Sequence, residues 1–295
     1  MTYRRLSKDT KRFLWISLLP SGLIYSLFVL WPAFNALLFS FTRWDGLSKP
    51  VWIGVENFVN LFNNGSDFLS AIGHNIYLTV IPGVIILTLA LFFAWMIHLK
   101  VIGATLFRVT FFFPNVIASV AIALLWVLLY STTDMGPINN LRQLFHLEKV
   151  PFLESSRLLQ SIIPMMVWSA TGFYLVLFLA AMENIPTDYY EAAHIDGASP
   201  TRQFVKITLP LMWDVLTTGI IFLIVGGLKF FDAIWVMENG RPSPSTHTMS
   251  SLMYAKVFEE YNVGYGTAIA VLLFVFVLLV TRITIRILKR ESLEY

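Results

Sequence analysis

The chain reads as an all-α polytopic membrane protein with six transmembrane helices, and three observations predict this. It is 57% hydrophobic and 13% charged, with a mean hydropathy of +0.69, against roughly 25% charge in soluble domains. Six apolar runs each reach the ~20 residues that cross about 30 Å of hydrocarbon as a helix. Lysine and arginine gather on one set of ends and connections, which gives the spans a direction.

The first run, 13–41, follows Arg4, Arg5, Lys8, Lys11 and Arg12. It exceeds the roughly 7 to 15 apolar residues of a signal peptide, so it is expected to be a retained anchor behind a short N-terminal segment, 1–12. The second run, 72–99, turns tightly through 100–105 into the third, 106–130. The fourth, fifth and sixth cover 158–182, 213–236 and 268–288, and a tail, 289–295, follows. No remaining segment is long or polar enough to enclose a sizeable soluble core. Pro20, Pro32, Pro82, Pro114 and Pro164 lie in or beside spans. Each removes a helical hydrogen bond, which fits either a bundle around an internal pathway or plain packing kinks.

One side carries Arg4, Arg5, Lys8, Lys11, Arg12, Lys100, Arg108, Arg202, Lys206, Arg282, Arg286, Lys289 and Arg290. The other has only Arg43, Lys49, Arg142, Lys149, Arg157, Arg241 and Lys256. Cytoplasmic loops retain such cations, so both termini and the 183–212 connection are expected in the cytoplasm of a bacterial inner (plasma) membrane protein. The net charge of +3 reflects this asymmetry and gives no reason to expect nucleic acid as a partner. Trp15, Trp44, Trp52, Trp95, Trp213 and Trp235 fall near span ends, where indoles favour the lipid interface. The connections 42–71, 131–157 and 237–267 mix turn residues with apolar anchors and suit short re-entrant or surface helices.

Between the fourth and fifth runs, residues 191–210 form a compact polar interruption. Asp188 and Glu191 have the spacing of a helix start, with Pro186 just ahead. Tyr189, Ala192, Ala193 and Asp196 then share one face, kept low by the alanines. Gly197 suits a left-handed helix stop, and Ser199-Pro200 a fresh cap and first turn. A second helix would run toward Leu209, with Phe204, Ile207 and Leu211 on one side and Pro210 marking entry into the fifth span. From the residues alone, this is either a solvated loop or a rigid two-helix knuckle that inserts into a groove on a partner. A DNA-binding role is opposed by Glu183, Asp188, Glu191 and Asp196, which outnumber Arg202 and Lys206.

The pattern Glu191-Ala192-Ala193, Asp196-Gly197-Ala198, Ile207, Leu209-Pro210 resembles the signature loop of ABC importer permeases. The likeness extends over nearly the whole chain. Pro20, Phe28, Trp31-Pro32, Ser40-Phe41-Thr42-Arg43-Trp44, Gly54-Val55-Glu56-Asn57-Phe58, Phe111-Phe112-Phe113-Pro114, Trp126, Ile185-Pro186, Phe231-Asp232, Tyr254 and Phe258 are similar to the carbohydrate-uptake subfamily, which includes maltose, glycerol-phosphate and multiple-sugar permeases. Where that subfamily has a Thr-x-Gly-Gly-Pro turn, this chain has Glu238-Asn239-Gly240-Arg241-Pro242. The resemblance implies a type I importer permease domain over 13–288 whose coupling loop, 183–212, docks on ATPase subunits. Glu191, Ala192, Ala193, Asp196, Gly197, Ala198, Ile207, Leu209 and Pro210 would make that contact. It also implies a second, homologous but distinct permease chain, two ATP-binding subunits that use ATP and magnesium, and an extracytoplasmic solute-binding protein.

Lys229 and Asp232 fall within the fifth run, where each charge costs about 2.5 to 3.5 kcal/mol near mid-bilayer. They are expected to face the bundle interior and either to pair at i, i+3 or to line the solute path, where Phe230, Trp126 and Trp168 could stack on the solute. The chain lacks phosphate-loop, nucleophile-elbow and zinc-helix motifs, so it is read as non-catalytic and free of bound cofactor. His74, His98, His146, His194 and His247 are scattered and predict no metal site. A stand-alone secondary transporter or channel is the competing reading, although no internal repeat supports it.

Overall fold

The computed structural model describes residues 8–63, 65–99 and 103–290. The chain divides into two compact units, Met1–Asn64 with Met253–Leu272, and Gly65–Leu252 with Leu273–Tyr295. Arg4, Arg5 and Lys100 of the expected cytoplasmic set lie outside the described residues.

In chain order the helices are α1 (Lys8–Tyr25), α2 (Trp31–Phe39), α3 (Glu56–Asn63), α4 (Ser66–His98), α5 (Ala104–Val116), α6 (Ser119–Tyr130), α7 (Pro137–Leu144) and α8 (Leu158–Glu183). There follow α9 (Thr187–Ile195), α10 (Pro200–Gln203), α11 (Leu209–Leu211), α12 (Trp213–Leu228), α13 (Asp232–Met237), α14 (Met249–Tyr254) and α15 (Val263–Leu288). Among the described residues, five helical stretches are long and apolar enough to cross a membrane, and a bent pair supplies a sixth.

That bent pair corrects the third expected span. Residues 106–130 read as one helix, but α5 and α6 meet at a bend of 100°. Pro114 removes an amide from the ladder, and Ile117 and Ala118 are extended, with ψ of 138° and 137°. Pro82 and Pro164, by contrast, sit inside unbroken helices. Two prolines are accommodated by π turns. At Ser26–Leu30 the Trp31 amide reaches back to Ser26 O just ahead of Pro32, and at Phe204–Thr208 the Leu209 amide reaches Phe204 O just ahead of Pro210. A wider turn makes room for the ring and spares the carbonyl that proline cannot satisfy.

In the first unit, strands β1 (Thr42–Arg43) and β2 (Val51–Trp52) pair antiparallel, Thr42 opposite Trp52. Asp45 closes the turn, accepting the amides of Ser48 at 2.7 Å and Leu47 at 2.9 Å. Asn57, buried on α3, donates to Ser40 O and Thr42 O, both at 2.9 Å. This polar connection is therefore a small folded cap.

The second unit is built on α4 against α8. Ala90 and Ala94 keep the α4 surface low where Phe178, Leu179 and Met182 of α8 pack, and Leu216 of α12 joins them. Without a hydrophobic drive between helices in lipid, close fit of small against large residues provides this adhesion. A second cluster holds Leu78, Ile122, Ile162 and Ile234 together. Trp213 Nε1 donates to Leu288 O at 2.7 Å, and Arg290 lies 3.8 Å over the Trp213 ring. Residues 246–252 between the fifth and sixth apolar runs are buried.

Candidate functional site

Two places in the second unit carry the expected functional residues. The first is the knuckle. Helix α9 starts two residues earlier than the Asp188 cap anticipated: Pro186 is the cap and no side chain closes the turn. The Ile185-Pro186 pair imposes the extended entry, and Asp188 instead places its charge in the first turn, where the helix dipole favours an anion.

The stop is as the residues predict. Gly197 has φ of 75°, its amide bonds His194 O at 3.0 Å, and the Ala198 amide bonds Ala193 O at 2.9 Å. This six-to-one and five-to-two pair is a Schellman stop, which needs a left-handed residue at Gly197. Ser199 Oγ then accepts the Arg202 amide at 3.4 Å, and Pro200 opens α10.

Three contacts that the sequence reading passed over lock the knuckle. Gln203 Nε2 donates to Ala198 O at 3.2 Å, the Tyr190 and Thr208 hydroxyls lie 3.0 Å apart, and Phe204 packs on Trp95 with ring centres 5.1 Å apart. Leu209 packs against the α4–α8 core, while Ile207 and Pro210 are half-buried beside it. Ala193 and Ala198 are half-buried in the turn. Glu191, Ala192, Asp196 and Gly197 remain exposed. Ile195 is 85% exposed on the same helix, an unscreened apolar tip that the motif had not singled out.

The second place is a cavity of about 520 Å³ among α4, α5, α6, α8 and α12. The fifth span is not continuous here: α12 stops at Leu228, α13 starts at Asp232, and Phe231 has φ of −140°. The gap places Lys229, Phe230, Phe231 and Asp232 on the cavity wall together with Ser119, Ser169 and Tyr174.

The expected Lys229–Asp232 ion pair does not form among the described residues. The helix break takes the two side chains out of i, i+3 register, and the Asp232 carboxylate accepts a short hydrogen bond from the Ser119 hydroxyl instead. Trp126 and Trp168 are not on this wall. They lie 6.3 Å apart, and Trp126 also packs edge-on to Tyr130. No cluster of three or more potential metal ligands occurs among the described residues.

This arrangement is matched by known proteins. A family described as "Binding-protein-dependent transport system inner membrane component" matches residues 86–292. The chain belongs to this family. As an inner membrane component of that kind, it is a multi-pass transport permease. It is 29% identical over 299 residues to a multiple sugar-binding transport system permease protein of Streptococcus mutans, covering 98% of this chain and 99% of the relative. It is 32% identical over 285 residues to a diacetylchitobiose uptake system permease protein of Streptomyces coelicolor, covering 92% of this chain and 80% of the relative. A chain of a bacterial ABC transporter involved in import of the acidic polysaccharide alginate superposes with a TM-score of 0.84 at 24% identity, covering 98% of this chain and all of that one. At that identity the superposition establishes the fold of this inner membrane component.

Proposed function

We propose that the chain is one permease subunit of an ATP-driven importer for a carbohydrate or a related polyol or sugar derivative, coupled through the 183–212 knuckle. The observation that carries this reading is the turn at Gly197, which holds Glu191, Ala192 and Ile195 outward on an α9 tied to the next segment by Tyr190 and Thr208, while Phe204 of that segment packs on Trp95 of α4. A docking element must be stiff to transmit a displacement, and a loop bound only by solvent would be free to relax. Closure of two ATPase subunits on ATP would move the knuckle with its groove, and the spans would rock between inward- and outward-facing states.

In this reading the chain hydrolyses no ATP itself. A second permease completes the pathway, and a solute-binding protein delivers cargo at the face opposite the knuckle. The lysine and arginine asymmetry supports a cytoplasmic position for both termini and the knuckle. The sugar reading rests on the relatives' names and on the cavity, whose aromatic rings and hydroxyls suit the apolar faces and polar rims of sugar rings.

Purification of the native complex through this chain, followed by reconstitution into vesicles, tests it. An ATPase chain should co-purify, and labelled sugar should accumulate only with ATP and binding protein. Uptake without ATP would overturn the reading. Single Lys229→Ala and Asp232→Ala variants should each impair uptake, and full uptake by both would remove them from the path.

A further inference from the structure

We infer that Asn75 is the positioning residue of the translocation cavity: one buried amide on α4 sets where the fifth span breaks. The inference rests on the reading of the cavity as the solute path.

A helix that stops inside a membrane leaves carbonyls with no amide partner, and lipid offers none. Asn75 is 0% exposed. Its Nδ2 donates to Leu228 O at 2.9 Å and lies 3.4 Å from Gly227 O, which are the last carbonyls of α12. Its Oδ1 accepts the Met249 amide at 2.8 Å, at the start of α14. Donor faces carbonyls and acceptor faces an amide, so only one amide orientation satisfies the site. Thr248 completes it by donating Oγ1 to Phe230 O at 2.8 Å.

The fit is close on the backbone side as well. A Cβ at Gly227 would lie 3.0 Å from Thr79 Cα, one turn along α4 from Asn75. Glycine there lets α12 approach until the Asn75 amide reaches its carbonyls. Next to Asn75, His74 Nδ1 lies 2.8 Å from His247 O, which holds the buried 246–252 segment in the same register.

The consequence is specific. Asn75 does not line the cavity, yet it anchors the Leu228 end of the gap that displays Lys229, Phe230, Phe231 and Asp232. Without its amide, the least costly way to satisfy Leu228 O is to wind residues 229–232 back into the helical ladder. That rotation would carry Phe231 off the wall.

The chain has no cysteine, so a Phe231→Cys reporter in the assembled, reconstituted transporter reads the break directly by its labelling with a water-soluble thiol reagent. With Asn75→Leu, labelling at 231 should fall about tenfold, the equilibrium value of one buried hydrogen bond, while labelling of a Leu144→Cys reporter, exposed on α7, stays unchanged. In the cysteine-free background, Asn75→Leu should raise the KM for uptake more than it lowers the maximal rate. Wild-type labelling and KM in Asn75→Leu would overturn the inference. If that variant does not assemble, Thr248→Val decides: it should lower labelling at 231 in the same direction, and unchanged labelling overturns the inference. Labelling does not depend on ATP-driven uptake, so failure of the importer reading would be seen separately.

Discussion

Ile195 is 85% exposed on α9, beside Glu191 and Ala192, and little among the described residues covers it. If the knuckle docks in a groove, this side chain is the apolar group with most to gain. Full burial of an isoleucine is worth about 1.5 to 3 kcal/mol, and trimming it to alanine removes three carbons at about 0.8 kcal/mol each. Ile195→Ala should therefore weaken association with the ATPase subunits by about 2 kcal/mol, or roughly 30-fold. Ile195→Asp should weaken it further, because a carboxylate must then be desolvated in the groove. Neither change disturbs the fold of this chain, since the side chain packs on little among the described residues. The assay is titration of purified ATPase subunit onto the reconstituted permease pair, with ATPase stimulation by loaded binding protein as a second readout. Wild-type affinity and stimulation in Ile195→Asp would refute the claim that this tip enters the groove.

Three further outcomes follow from the geometry. Gly197→Ala forces a Cβ into a φ of 75° and should cost about 1 kcal/mol of knuckle stability, read as faster amide exchange at Gly197 and Ala198 and reduced uptake. Glu238, at the position of the subfamily's turn threonine, accepts Ser155 Oγ at 2.8 Å, the Ser243 amide at 2.9 Å and the Thr246 hydroxyl. Removing these acceptors with Glu238→Ala should destabilise the turn by about 2 kcal/mol, seen as new protease cleavage between 239 and 246. The Asp45 carboxyl is held down at about 2 by the Ser48 amide, then the Leu47 amide and the Ser48 hydroxyl. A depressed folded value means its stabilisation is complete above the ordinary carboxylate range and lost as pH falls through about 2. Trp44 and Trp52 fluorescence should thus be flat from neutral pH to about pH 4 and change only below it, and a transition centred above pH 5 would contradict this.

The legible parts of the sequence were those set by local chemistry. Gly197, Ser199 and Pro200 each act through their own backbone or the next turn, so the knuckle's stop and restart could be read directly. Pro186 outranked Asp188 at the start of α9 because a fixed φ acts before a side-chain bond can. The third and fifth runs misled for one common reason: apolar content averaged over a run reports only that it is buried, and a break of two or three residues, after Pro114 or at 229–231, is too short to interrupt it even with Lys229 inside. Gln203 and Tyr190 were missed because their partners, Ala198 and Thr208, face them only after the knuckle closes.

By itself the sequence determined the class of the protein and the stop and restart of the 183–212 knuckle, because hydropathy and turn residues act locally. Only the tertiary structure decided where Lys229, Phe230, Phe231 and Asp232 stand. A broken helix inside a membrane is permitted solely where another segment supplies hydrogen-bond partners. Here Asn75, 152 and 153 residues distant in sequence from Gly227 and Leu228, supplies them.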